Sequence, residues 1–153
     1  MLSQTSEYAL RAMSCLAYAP DELTTTTTLA EMTKVPSNYL AKVLQSLAQA
    51  DLITGRRGVG GGYRLARPSA EISLLDIINS IDPIERITTC PLGLSNHSEN
   101  LCPLHRAVDN ASKAVIDQFG DTSLQDIISA LGSNKPLCNT EQTARYSISI
   151  GKS

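Results

Sequence analysis

The stretch that most limits what this chain can fold into lies between Leu52 and Leu65. Leu52-Ile53-Thr54 leads into Gly55-Arg56-Arg57-Gly58-Val59-Gly60-Gly61-Gly62, and Tyr63-Arg64-Leu65 follows. Two short runs of strand character bracket a segment that holds five glycines, a pattern that predicts a β-hairpin. Glycine adopts positive φ without penalty and lets backbone come close to another surface, so the hairpin tip is suited to approach something. A phosphate-cradling P-loop is the rival reading. It requires a Gly-Lys-Ser/Thr ending that opens a helix, whereas this chain continues Tyr-Arg-Leu-Ala-Arg-Pro.

The residues ahead of the hairpin have helical periodicity. Tyr8, Ala9, Ala12, Met13, Leu16 and Ala17 recur at three-four spacing and predict an amphipathic helix over 6–19, ended by Pro20. Thr24 to Thr28 is a run of five threonines, poor as helix interior and good as a cap, so it reads as a connector into a second helix. That helix carries Leu29, Ala30 and Met32 and stops before Pro36, because the residue preceding a proline is pushed out of the helical region. A third helix starts at Pro36 and runs to about Ala50, with Tyr39, Leu40, Val43, Leu44 and Leu47 as its apolar stripe. Two short helices joined by Lys34-Val35-Pro36 and followed by a hairpin have the order of a winged helix-turn-helix.

After the hairpin, Ser73 caps a short helix that reaches Ile81, and residues 82–101 are irregular. From there Leu101, Leu104, Val108, Ala111, Val115 and Phe119 trace a coiled-coil-like seam along one long helix. Thr122-x-x-Gln125 reads as a capping box that opens a last helix to about Leu131. Gly132 to Ser153 has no periodicity and is expected to fray as a flexible tail. The expected fold is mainly α with a small β-hairpin: a winged helix-turn-helix DNA-binding domain over 1–81, a ligand loop over 82–101, a long helix with a short following helix over 102–131, the long one being the dimerisation helix by the family resemblance given below, and a tail over 132–153.

Charge places the functional surface. The 153-residue chain has a net charge of −2, which argues against nucleic acid only if the chain is treated as uniform. Residues 34–67 carry +5 and residues 69–153 carry −4, so a localised polyanion-binding surface is hidden in the average. The groove-facing positions of the third helix are Ser37, Asn38, Tyr39, Lys42 and Gln45, with Ser46 further along. Asn and Gln can read adenine edges, while Ser, Tyr and Lys most simply hold phosphate. Arg56, Arg57, Gly58, Gly60 and Tyr63 supply the wing, with Arg57 as its minor-groove or phosphate probe. Double-stranded DNA is the expected partner, since six aromatics and no Trp make a poor stacking platform for single strands. No nucleophile–base–acid constellation points to an enzyme. Neither a membrane-length apolar run nor a signal peptide is visible, so a cytoplasmic location is expected.

Cys90, His97, Cys102 and His105 fall within sixteen residues and include both histidines of the chain. Thiolates and imidazoles together are the ligand set for zinc, iron–sulfur clusters or copper. Cys102-x-x-His105 at a helix start puts both side chains on one face. Thiol-redox switching and ordinary burial of a small hydrophobe are the alternatives for these cysteines. Cys15 reads as core. Cys138 reads as an incidental tail thiol, or a resolving partner for Cys90 or Cys102.

Thr5-Ser6-Glu7-Tyr8-Ala9-Leu10-Arg11, Tyr39-Leu40, Arg57-Gly58-x-Gly60-Gly61-Gly62-Tyr63, the helix from Leu101 and Thr122-Ser123-Leu124-x-Asp126 resemble the winged-helix regulators typified by IscR and NsrR, the Rrf-two family. The resemblance implies a homodimer on a pseudo-palindromic operator that senses redox or iron–sulfur status through a [2Fe–2S] cluster. Cys90 and Cys102 match the outer two of the family's three loop cysteines, and His105 matches a histidine that serves as fourth ligand in some members. The middle cysteine is replaced by Asn96, with His97 beside it. Glu7 matches an N-terminal carboxylate that ligates from the partner subunit in other members. Two completions follow: Cys90, Cys102, His105 and Glu7 around a [2Fe–2S] cluster, or Cys90, His97, Cys102 and His105 around zinc. A cluster-free regulator of the same fold, using thiol oxidation, a small ligand or a protein partner, is the alternative.

Overall fold

A computed structural model of the chain describes residues 2–94, 100–130 and 136–137. His97, Leu131, Cys138 and, apart from Pro136 and Leu137, the expected tail lie outside the described residues. Helix α1 spans Gln4–Ala17 and begins where the Ser3 hydroxyl accepts from the Ser6 N–H at 3.1 Å. It starts two residues earlier than its apolar periodicity suggests and ends at Ala17, before Ala19. Ala9, Ala12, Met13 and Leu16 are wholly buried, and the small alanines let neighbouring elements approach closely. Both helices of the helix-turn-helix and the second strand of the hairpin dock on this helix, as do the later helices α4 (Leu74–Asn79) and α6 (Leu124–Ile128).

Helix α2 covers Thr26–Thr33, with Thr25 of the threonine run as its cap. Lys34 closes it in the left-handed conformation at φ 58° and turns the chain into α3, Ser37–Gln49, with Pro36 at the cap position. Leu40, Val43, Leu44 and Leu47 bury one stripe of α3, and truncating Leu44 to Ala is expected to cost about 2–5 kcal/mol. Strands β1 (Ile53–Arg56) and β2 (Gly62–Leu65) pair antiparallel, Ile53 opposite Leu65 and Arg56 opposite Gly62. A single bridge from Thr24 to Tyr63 adds the segment before α2 to this hairpin.

A 3₁₀ turn at Ser69–Glu71 leads to α4, which Ser73 and Asp76 close with a reciprocal capping box. Helix α5 runs over Pro103–Gly120 with Cys102 at its cap position, so Leu101 of the apolar seam precedes the helix. Pro103 has no N–H to satisfy and fits a helix's first turn. The last capping box is Ser123 with Asp126, one residue later than Thr122 and Gln125. The physical reason is that the Thr122 hydroxyl is already used, donating to the Gln118 carbonyl at 2.8 Å as α5 ends. Helix α6 stops at Ile128, short of the expected end near Leu131. Among the described residues no helix is long and apolar enough to cross a membrane.

Candidate nucleic-acid interface and sensor loop

Helix α3 shows one buried and one open face. Ser37, Asn38, Tyr39, Ala41, Lys42 and Gln45 are exposed along the open side, while the leucine stripe anchors the other to the core. The backbone N–H groups of Tyr39 and Leu40 are satisfied by the Pro36 carbonyl at 3.0 Å. No side chain is consumed in capping this end, so the polar residues of the first turn stay free to reach outward.

The wing is fixed by its glycines. Gly58 and Gly60 take φ of 92° and 72°, and the Gly61 N–H donates to the Gly58 carbonyl at 3.0 Å to close the tip. A Cβ on Gly61 would stand 2.2 Å from the Arg56 carbonyl oxygen. Arg56 Nη2 donates to the Gly60 carbonyl at 3.1 Å, bracing the tip from within. Arg57 makes no hydrogen bond or ion pair among the described residues and is exposed. Tyr63 is half-buried with its ring over Gly55, and its backbone exchanges hydrogen bonds with Thr24 at 2.8 and 2.9 Å. Arg56 and Tyr63 thus sit where they shape the wing, and Arg57 sits where it can reach past it.

The wing and the start of α2 enclose an open concavity of about 440 Å³ lined by Thr25, Thr26, Arg56, Arg57 and Tyr63 among others. The sequence marks the threonines as a cap and connector into α2, as observed, but not as a wall beside the wing. Their signal was the β-branched run itself, which caps α2 and also supplies the bridge to the wing.

The candidate ligands are distributed unevenly. Cys102 and His105 come together at the start of α5, with Sγ 3.4 Å from Nδ1. Cys90 is a free thiol, 8% exposed, at the start of a turn in which the Gly93 N–H donates to its carbonyl at 3.0 Å. Glu7 lies in the first turn of α1 and accepts from Arg11 Nε at 2.7 Å. Among the described residues no group of three His, Cys, Asp or Glu side chains is gathered to hold a metal ion. Cys15 is buried in the core as expected.

A residue pair absent from the sequence reading ties the loop to α5. Arg86 donates through Nε and Nη2 to the two carboxylate oxygens of Asp109, each at 2.6 Å, and the Ile87 N–H adds a third bond at 2.9 Å. The bonded Arg86 guanidinium holds the Asp109 carboxyl below the usual carboxylate range, against the opposing effect of its burial. Arg86 is raised in turn by the same bond.

The family profile described as Rrf2, iron-dependent transcriptional regulator, matches residues 2–130. A protein of Aquifex aeolicus described as an HTH-type transcriptional regulator is 29% identical over 131 residues, covering 84% of this chain and 91% of that protein. Among solved structures, CymR of B. subtilis superposes with a TM-score of 0.71 at 23% identity, covering 86% of this chain and 98% of that one. IscR of T. potens gives 0.69 at 21%, covering 86% and 93%. The oxidized form of Staphylococcus aureus CymR gives 0.69 at 26%, covering 86% and 98%. The chain belongs to the Rrf2 family of DNA-binding transcriptional regulators and is not an enzyme.

Proposed function

We propose that this regulator works in the cytoplasm as a homodimer on a pseudo-palindromic duplex operator, and that the loop ahead of α5 reports redox or iron–sulfur status to it. The observation that carries the reading is the continuity of sensor and seam. Cys102 and His105 stand at the very start of a helix whose Leu104 and Val108 are 67% and 46% exposed. A chemical change at that end therefore bears directly on an apolar surface suited to a second copy. Two copies place two α3 helices in successive major grooves, with Ser37, Asn38, Tyr39, Lys42 and Gln45 toward the bases and phosphates and Arg57 at the minor groove. Coupling of this kind commonly changes operator affinity about 5–150-fold.

Two sensing chemistries compete. A [2Fe–2S] cluster on Cys90, Cys102, His105 and Glu7 of the partner subunit is supported by the iron named in the family description. The described residues of one chain supply the Cys102–His105 half of such a site and gather no third donor beside it, so the full set does not fit within one chain as it stands. Thiol oxidation at Cys90 and Cys102 is favoured by their being free thiols in this arrangement, and S. aureus CymR was solved in an oxidized form.

Anaerobic purification, iron and sulfide analysis and a visible spectrum separate the two, followed by gel shifts on duplexes selected by the protein from a random pool. Iron and sulfide in equal amounts, lost with Cys102→Ala, support the cluster. Iron-free protein whose binding changes with peroxide and is locked by Cys90→Ala supports the thiol reading. A colourless protein whose DNA binding ignores oxidants and both substitutions overturns the sensor.

A further inference from the structure

Away from wing and loop, a cleft of about 350 Å³ opens where α1, α4 and α6 meet, with Pro136 and Leu137 along one side. The Tyr18 hydroxyl donates to the Pro136 carbonyl at 2.8 Å and holds that side in place. The size is at the lower end of small-molecule sites. Leu10, Leu74, Ile127 and Leu137 make the walls apolar.

One face of α1 contributes all the polar groups. Glu7, Arg11 and Ser14 follow at four- and three-residue steps and so share a stripe that borders the cleft. Ser14 is 6% exposed, yet its hydroxyl enters no hydrogen bond among the described residues. A buried hydroxyl without a partner is uncommon and costly, and it points to a missing one. Arg11 spends Nε on Glu7 and Nη1 on the Thr33 carbonyl at 3.1 Å, which leaves Nη2 without an acceptor among the described residues. Glu7 spends Oε1 on Arg11 and has Oε2 to spare.

An open apolar cleft is therefore edged by the Arg11–Glu7 ion pair, one helical turn apart, with Arg11 Nη2 and Glu7 Oε2 still unspent among the described residues. A bare carboxylate placed here is repelled by Glu7, and a bare ammonium by Arg11. A head group carrying both charges is attracted at both ends. We propose that this cleft binds an apolar α-amino acid, with its ammonium on Glu7, its carboxylate on Arg11 and the Ser14 hydroxyl, and its side chain against Leu74 and Ile127. The site goes beyond the DNA-binding and redox reading: it is independent of thiol oxidation at Cys90 and Cys102, and it competes for Glu7 with the cluster alternative.

Titration calorimetry on the full chain tests it, with L-leucine and L-phenylalanine as probes, L-leucinamide as the analogue without a carboxylate and 4-methylpentanoate as the analogue without an ammonium. Either amino acid is expected to bind saturably, with a Kd on the order of 0.1–1 mM for a ligand of this size. Both analogues should bind at least about tenfold more weakly, as each strands a charged group. Ser14→Ala should weaken binding severalfold, and Ser14→Val, which fills the cleft, should abolish it while circular dichroism stays native. The proposal is overturned if neither amino acid gives a saturable isotherm, if either analogue matches its parent, or if a natively folded Ser14→Ala or Ser14→Val binds as the unsubstituted protein does.

Discussion

Neighbouring identical side chains take different work in the wing. Arg56 is turned inward by its bond to the Gly60 carbonyl, whereas Arg57 stays unengaged among the described residues. Arg57→Ala should therefore remove one phosphate contact: affinity falls across all duplexes, and the slope of log K against log salt becomes shallower by about one. Arg56→Ala should loosen the tip without that signature of one lost ion. Fluorescence anisotropy at four or five salt concentrations reads both, and an unchanged slope for Arg57→Ala would remove it from the phosphate contacts. The sequence singles out Arg57, beside Gly58, as the probe, but it gives Arg56 and Tyr63 no role apart from belonging to the wing. Nothing in residue type separates the two arginines, because the Arg56 bond depends on a turn whose shape is set by the φ of Gly58 and Gly60. Glycine spacing announced the turn; which side chain folds back onto it is a matter of three-dimensional reach.

Helix and strand placement was readable where local chemistry decides it. Apolar periodicity, Pro20, Pro36 and the glycine run located α1 to α3 and the hairpin, and Ser73 was recognised as a cap. The last box slipped by one residue because Thr122 is committed to ending α5, a competition invisible when each motif is read alone. The Arg86–Asp109 tie was illegible for a related reason. Its partners are 23 residues apart, and Asp109 looks like any solvent-facing acid on an amphipathic helix. Its chemistry makes a prediction for the loop–helix junction. Asp109 has a depressed carboxyl pKa in the folded state, so its contribution is fully present above the ordinary carboxylate range and is lost as pH falls through the depressed folded value. Asp109→Asn should lower Tm at pH 7, and the gap to the unsubstituted protein should close as pH drops below about 4. Thermal melts by circular dichroism at pH 7, 5, 3.5 and 2 give the comparison; a gap that does not narrow between pH 5 and pH 2 would mean the side chain acts through shape alone.

The charge division and the exposed seam give the whole molecule its logic. The +5 segment spans helix-turn-helix and wing, while the acidic remainder includes α5, whose Leu104 and Val108 face solvent in a single chain. An acidic half disfavours indiscriminate attachment to polyanions, and in the proposed homodimer useful affinity would come from engaging two half-sites at once. Coiled-coil spacing is a local property of sequence and predicts the seam, and Leu104 and Val108 are the positions a second copy would have to bury. Leu104→Glu with Val108→Glu places two carboxylates where two apolar faces are expected to meet. Light scattering should then report a monomer whose helix content is unchanged, because both positions are exposed within one chain. Binding to a two-half-site duplex should weaken by about a hundredfold or more, while binding to a duplex with one half-site stays within about twofold. A double variant that remains dimeric would move the interface elsewhere on the molecule, and one that loses half-site binding as well would show that α5 also supports the fold of the reading head.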